Sequence, residues 1–330
     1  MNRMRPLRRF QWTLAIVWAF LCAAGWIYAH QQHIPLRVAV PVIAAFLWEA
    51  SFYLAPGFET VRRRLEARWK PPALAAGFAA SAVIPYCAYS LPAGVFRFDS
   101  FLLLAALALG AAFWYVVLPR TAPADAGFLA FAAAVMLARV FPQVFASPIA
   151  GLEIAILGRL MWIRLGVAVM LLIRRAEGTG FGFLPSSREW RIGLQHALLF
   201  LPIGLPLATA LGLVRFHPLE LPAAQATLVA AGTFLGMLWV VALSEEFFFR
   251  GLLQQWLGAW LASRRAGLVG ASVLFGLAHL PFREFPNWRF AVVAAVAGVF
   301  YGRAFQQAGG IRASMVSHAL VNTVARVLFR

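Results

Sequence analysis

From Ser100 to Leu118 the chain carries no charged residue. A helix needs ~20 consecutive apolar residues to cross a bilayer, and a backbone inside hydrocarbon must satisfy its own hydrogen bonds. Runs of this kind leave one architecture, an all-α polytopic transmembrane helical bundle. A mean hydropathy of +0.77, with 62% hydrophobic and 12% charged residues, lies outside the range of soluble domains and agrees. Apolar windows fall near 10–29, 34–55, 72–95, 98–118, 126–142 and 153–173. Others fall near 191–214, 224–250, 266–280, 288–305 and 312–329. The count is about eleven spans, within a range of roughly nine to twelve. Pro142 and Pro148 interrupt the pattern between the fifth and sixth.

A formal charge of +17 raises the question of nucleic acid, but the basic residues sit between the apolar runs. There they set topology against anionic headgroups, so the partner is the lipid bilayer and no nucleic acid is expected. Arginines cluster at 3–9, 62–70, 174–191 and 263–265, whereas "AHQQHIPLR" and "RFHPLELPAA" are poor in charge. The positive-inside rule puts the N-terminus and those clusters in the cytoplasm. The expectation is a multi-pass protein of the inner (cytoplasmic) membrane. Lys70 is the one lysine, and arginine and alanine richness of this kind suits a GC-rich bacterial genome. Cys22 and Cys87 stand alone in apolar segments, which suits buried thiols rather than a disulfide framework. The basic start and long apolar run of the first 30 residues read as a retained signal anchor.

The longest polar stretch, 174–191, reads as a linker with an interfacial helix starting at Ser186. Its Gly178, Gly180 and Gly182 do not form a phosphate loop, because no strand precedes them and no GK[ST] follows. The chain divides there into an N-terminal transmembrane region, 1–190, and a C-terminal one, 191–330. Every polar residue of chemical interest is expected in the second.

"VALSEEFFFRGLL" (241–253) sets two carboxylates in a hydrophobic run. Glu246 and Arg250 are four apart and share a helix face, so they can pair. Glu245 is rotated ~100° from Glu246, and its neighbour one turn on is the apolar Phe249. The arginine thus neutralises one carboxylate and leaves the other free. A bland reading is a charge pair fixing helix packing, with Glu245 wet at the interface. Two later motifs weigh against it: "FGLAHLP" with Phe275 and His279, and "SHALVNTV" with His318 and Asn322. A carboxylate, two imidazoles and an amide suffice to activate a water and to stabilise an oxyanion.

The order EExxxR, FxxxH, HxxxN resembles the CPBP family of CAAX proteases and bacteriocin-processing proteins, to which the type II CAAX prenyl proteases belong. "AGVFYGRAF", with Gly298 and Gly302, matches the small-residue helix that this family carries before its last motif. The resemblance spans about 186–330. It implies an intramembrane endopeptidase that cuts near the C-terminus of a membrane-anchored, prenylated or sorting-tail protein or peptide. On that likeness Glu245 and His279 hold and deprotonate the attacking water, and His318 and Asn322 stabilise the oxyanion. Glu246 and Arg250 support the site.

Glu245, His279 and His318 are also a conceivable His₂Glu zinc set with an open fourth position, although HExxH is absent. A cofactor-free glutamate mechanism is favoured over zinc. Depth is mixed: Glu245 and His279 lie at similar distances from the turn at 263–265, whereas His318 is only six residues past Arg312. The rival reading is a transporter or proton-relay protein that uses the same Glu/His cluster.

Overall fold

The computed structural model describes residues 5–282 and 284–329. It is all-α, with a single antiparallel bridge between Phe216 and Phe329. The chain separates into two compact units, Met1–Ala176 and Glu177–Arg330.

The first unit holds α1 (Arg5–Gln31), α2 (Leu36–Leu54), α3 (Glu59–Arg68) and α4 (Pro71–Ser90). After them come α5 (Phe98–Val117), α6 (Ala122–Leu137), α7 (Val140–Val144) and α8 (Ala155–Ile173). The second unit holds α9 (Ser187–Ala210), α10 (Ala223–Trp260), α11 (Arg264–Leu277), α12 (Trp288–Ala308) and α13 (Ile311–Leu328).

Local chemistry sets these boundaries. Ser186 and Glu189 form a reciprocal capping box that starts α9. The Asn287 side chain accepts from Phe290 N at 3.1 Å to start α12. Gly309, at φ +79°, ends α12 in a left-handed conformation that a side chain would disfavour.

Each expected window contains helix, yet among the described residues eight helices are long and apolar enough to cross a membrane: α1, α2, α4, α5, α8, α9, α10 and α12. The expected eleven is not reached, for two reasons. α6 has 16 residues and α11 has 14, which at ~1.5 Å per residue falls short of a hydrocarbon core of ~30 Å. α13 is longer but carries Arg312, His318, Asn322 and Arg326, which lower its hydropathy.

The first unit corrects one expectation, because it contains buried polar chemistry of its own. Arg164 on α8 donates from Nε to Glu49 Oε1 on α2 at 2.6 Å, and both side chains are fully buried. Its other nitrogens reach the hydroxyl and carbonyl of Ser81 on α4, each at 2.9 Å. The guanidinium lies 5.0 Å from the centre of the Phe52 ring. One arginine therefore ties three helices together. Arg174 grips both oxygens of Asp125 at 2.8 Å, and the Tyr115 hydroxyl donates to Asp125 Oδ1 at 2.8 Å.

In the second unit, the polar segment expected to be a linker packs closely. Ile311 N donates to Thr179 O at 3.0 Å. Trp239 Nε1 donates to Phe183 O at 2.9 Å, and Phe181 meets Phe247 edge-on at 5.2 Å. Gly180 and Gly310 touch backbone to backbone, where a Cβ on Gly180 would sit 2.5 Å from Gly310 Cα.

A buried ion pair broken on one side leaves an uncompensated charge. Arg164→Ala should cost about 3–5 kcal/mol in unfolding free energy, whereas a double Glu49→Leu, Arg164→Met variant should regain most of it. Denaturant melts of the purified protein would show the difference. Equal stability of the single and double variants would refute it.

Candidate active site

α10 is one continuous helix, but two π-helical stretches, Met237–Ala242 and Phe247–Gln254, flank a single α-helical turn, Leu243–Glu246. π-bulges are uncommon and collect at functional sites. Here they bracket the glutamate pair. Ser244 Oγ lies 2.9 Å from both Val240 O and Val241 O, so a hydroxyl serves carbonyls in the wider turn.

Glu246 is fully buried. Its Oε1 accepts from Arg250 Nη1 at 3.1 Å, which is the pairing expected from their spacing. The same oxygen lies 2.8 Å from His318 Nδ1. Arg250, also buried, donates from Nη2 to Gly298 O at 3.3 Å. Its guanidinium sits 4.3 Å from the centre of the Phe275 ring. His318 stacks on Tyr301 with centroids 4.7 Å apart and planes 13° apart.

Glu245 points elsewhere. It is a third exposed, and its Oε2 lies 3.8 Å from His318 Nε2, beyond hydrogen-bond reach. The imidazole thus stands between the two carboxylates, bonded to one and facing the other.

Small residues let these groups meet. A Cβ on Gly298 would sit 3.0 Å from Ser272 Cα and 3.3 Å from Arg250 Nη2, and one on Gly302 would sit 2.5 Å from Gln254 Oε1. The two glycines of α12 are where α10 and α11 press against its backbone, so Gly298 O can accept from Arg250 and Gly302 O from Gln254.

The depth of His318 has a structural answer. α13 begins beside Gly251, where a Cβ would sit 3.3 Å from Ile311 Cγ2, whereas α10 continues to Trp260. His318 is seven residues beyond Ile311, and Glu246 is five before Gly251, about 10 Å and 8 Å at 1.5 Å per residue. The two converge because the Gly309–Gly310 turn is seated against Gly180, inside the helix ends.

His279 lies in the turn just past α11, not within the helix. Its Nδ1 is 2.7 Å from Phe275 O. A carbonyl only accepts, so Nδ1 carries the hydrogen and Nε2 is left for other chemistry. His279 is linked to the cluster through Phe275, whose ring lies 4.7 Å from the His279 ring and 5.8 Å from that of His318. Asn322, one turn after His318, is half-buried and reaches Met237 Sδ at 3.8 Å, a weak contact.

The zinc alternative fits poorly. Among the described residues no group of three or more His, Cys, Asp or Glu side chains is placed to hold a metal ion, the set Glu245, His279 and His318 included. Sequence reasoning missed Tyr301 and the second bond to Glu246. Tyr301 lies one residue before Gly302, and only the fold turns its ring onto His318.

Glu246 and His318 thus form a buried cluster between α10 and α13, with Glu245 beside it and His279 linked to it through Phe275. Residues 227–324 match the family model of the Rce1-like type II CAAX prenyl endopeptidases. The chain carries a domain of that family, and the family is one of proteases. No curated protein and no solved structure matches the chain.

Glu246→Gln should destabilise the protein by about 3–5 kcal/mol, since Arg250 stays buried without its carboxylate. Glu245→Gln should melt within about 0.5 kcal/mol of wild type, as a substitution away from such a pair. Matching losses for the two variants would contradict the division between them.

Proposed function

We propose that the chain is an intramembrane endopeptidase that cleaves a membrane-associated protein near its C-terminus with a water activated by glutamate and histidine. The observation that carries this reading is His318, bonded through Nδ1 to the buried Glu246 and facing the free carboxylate of Glu245 through Nε2, all inside the matched segment.

Glu245 is the base. Its carboxylate has no arginine partner, is partly open, and carries a buried Oε2 with no hydrogen bond. It takes a proton from the attacking water as the oxygen adds to the scissile carbonyl carbon. His279 helps to hold that water through its free Nε2. With its Nδ1–H given to Glu246, His318 donates from Nε2 as the imidazolium. In that form it and Asn322, both on one face of α13, give hydrogen bonds to the resulting oxyanion. Collapse of the adduct breaks the C–N bond, and Glu245 returns the proton to the departing amine. Glu246 and Arg250 fix the His318 ring and do not react. No metal step is needed.

The substrate class that suits this site is a protein tail lying in or on the bilayer, prenylated or carrying a sorting anchor. Residues 1–190 serve to recruit it. A bacterial inner membrane suits this reading, with the arginine-rich loops on its cytoplasmic side.

Loss of one oxyanion donor costs ~100- to 1,000-fold in rate. Asn322→Ala should fall in that range, Glu245→Gln should abolish cleavage in folded protein, and a chelator should leave the wild type unchanged. The assay compares C-terminal peptides in membranes of cells with the wild-type chain and with each variant. Chelator inactivation reversed by zinc would reject the scheme, as would full activity in Glu245→Gln.

A further inference from the structure

A second polar site lies apart from the Glu/His cluster, at the opposite end of the α10–α12 seam from Glu246. A cavity of about 480 Å³ opens between the end of α10, the start of α11 and the end of α12. Gln254, Gln255, Arg264 and Gln306 line it, with Gly178 and Gly309 at its edges.

The three carboxamides are used alike. Gln254 Nε2 donates to Gly302 O at 3.2 Å, Gln255 Nε2 to Gly251 O at 2.5 Å, and Gln306 Nε2 to Arg264 O at 3.3 Å. Each therefore binds the protein through nitrogen and keeps its oxygen unbonded. Gln254 is 4% exposed and its Oε1, unbonded within the protein, is closed off beside Gly302, so the acceptors open to the cavity are those of Gln255 and Gln306. A Cβ on Gly178 would sit 2.8 Å from Gln255 Oε1, so that glycine leaves room for this oxygen. The wall is rich in acceptors.

At the mouth stands one cation. Arg264 is exposed, and its guanidinium makes no hydrogen bond or ion pair among the described residues. It is the first residue of α11, where the helix dipole adds positive potential. The cavity thus asks for a ligand with hydrogen-bond donors at one end and an anion at the other.

Depth selects the source of that ligand. α12 has 21 residues, about 31 Å at 1.5 Å per residue, which just matches a hydrocarbon core of ~30 Å. Its last turn, with Phe305 and Gln306, then lies at headgroup level. Trp256 and Trp260 stack on the adjoining turn of α10 with centroids 6.3 Å apart, as an interfacial aromatic belt would.

We infer that this cavity binds a phospholipid headgroup that carries a hydrogen-bond donor beyond its phosphate. The phosphate pairs with Arg264, and an ammonium or hydroxyl faces the glutamine oxygens. A phosphoethanolamine lipid meets both demands. A phosphocholine lipid, whose nitrogen has no hydrogen, meets only one.

The test is native mass spectrometry of the full-length chain released from vesicles of equal ethanolamine and choline lipid. The wild type should retain the ethanolamine lipid over the choline lipid by about 10-fold, the scale of one charge-assisted hydrogen bond. Arg264→Ala should cut total retention, and Gln306→Leu should reduce the preference. Both residues are exposed, so neither change threatens the fold. Arg265→Ala, outside the cavity, should change neither. Equal retention of the two lipids, or no effect of Arg264→Ala, would overturn the assignment. Displacement of the lipid by a short peptide with a free carboxylate would overturn it as well.

Discussion

One carboxylate oxygen organises the second unit. Glu246 Oε1 holds the guanidinium of Arg250 from its own helix and the imidazole of His318 from α13. A carboxylate without partners at this depth is expensive, and breaking one partnership exposes the rest. Arg250 can serve Glu246 only because its second arm finds Gly298 O and its flat face finds Phe275. α11 and α12 are thereby fixed relative to α10 by the same charge. Substituting either glycine of α12 would push the helices apart before it touched the chemistry, since a Cβ at 298 or 302 meets Ser272 or Gln254 at 3.0 Å or less.

The two glutamates are neighbours in sequence and differ only in where a helix turns them. Glu246 faces inward, is neutralised by Arg250 and orients a ring. Glu245, at a third exposed, retains a carboxylate that no arginine claims. The same division appears in enzymes where one acid orients a histidine and the reacting atoms lie on the histidine's other side. A relay for protons would need Glu246 to load and unload. A carboxylate already bonded to an arginine and an imidazole is better suited to hold a neighbour still.

What the sequence made legible follows from range. The Glu246–Arg250 pair is four residues apart, so helix spacing alone supplied it, and the helix start at Ser186 is equally local. The contact from Glu246 to His318 spans 72 residues. It depends on α13 starting beside Gly251, which in turn depends on Gly180 lying against Gly310, a contact between two residues without side chains. No periodicity records that. The Glu49–Arg164 pair, 115 residues apart, escaped for the same reason. A lone glutamate and a lone arginine in separate apolar windows look like flaws in each until the helices are side by side. Span number failed differently: apolar windows locate helices, but the short α6 and α11 show that a helix can be apolar without being long enough to cross.

His279 and Asn322 show where motif and geometry part. Both motifs fix a spacing of four, yet α11 ends at Leu277, so His279 leaves the helix and bonds back to Phe275 O. That bond sets which ring nitrogen is free. Asn322 keeps its helical place but is turned toward Met237, whose sulfur accepts weakly. A strong acceptor that forms beside Asn322 during catalysis would outcompete such a contact at small cost. An oxyanion is such an acceptor, and a donor held by a poor partner is free to turn toward it. The resting contact with sulfur is therefore consistent with a donor that is used only when charge develops.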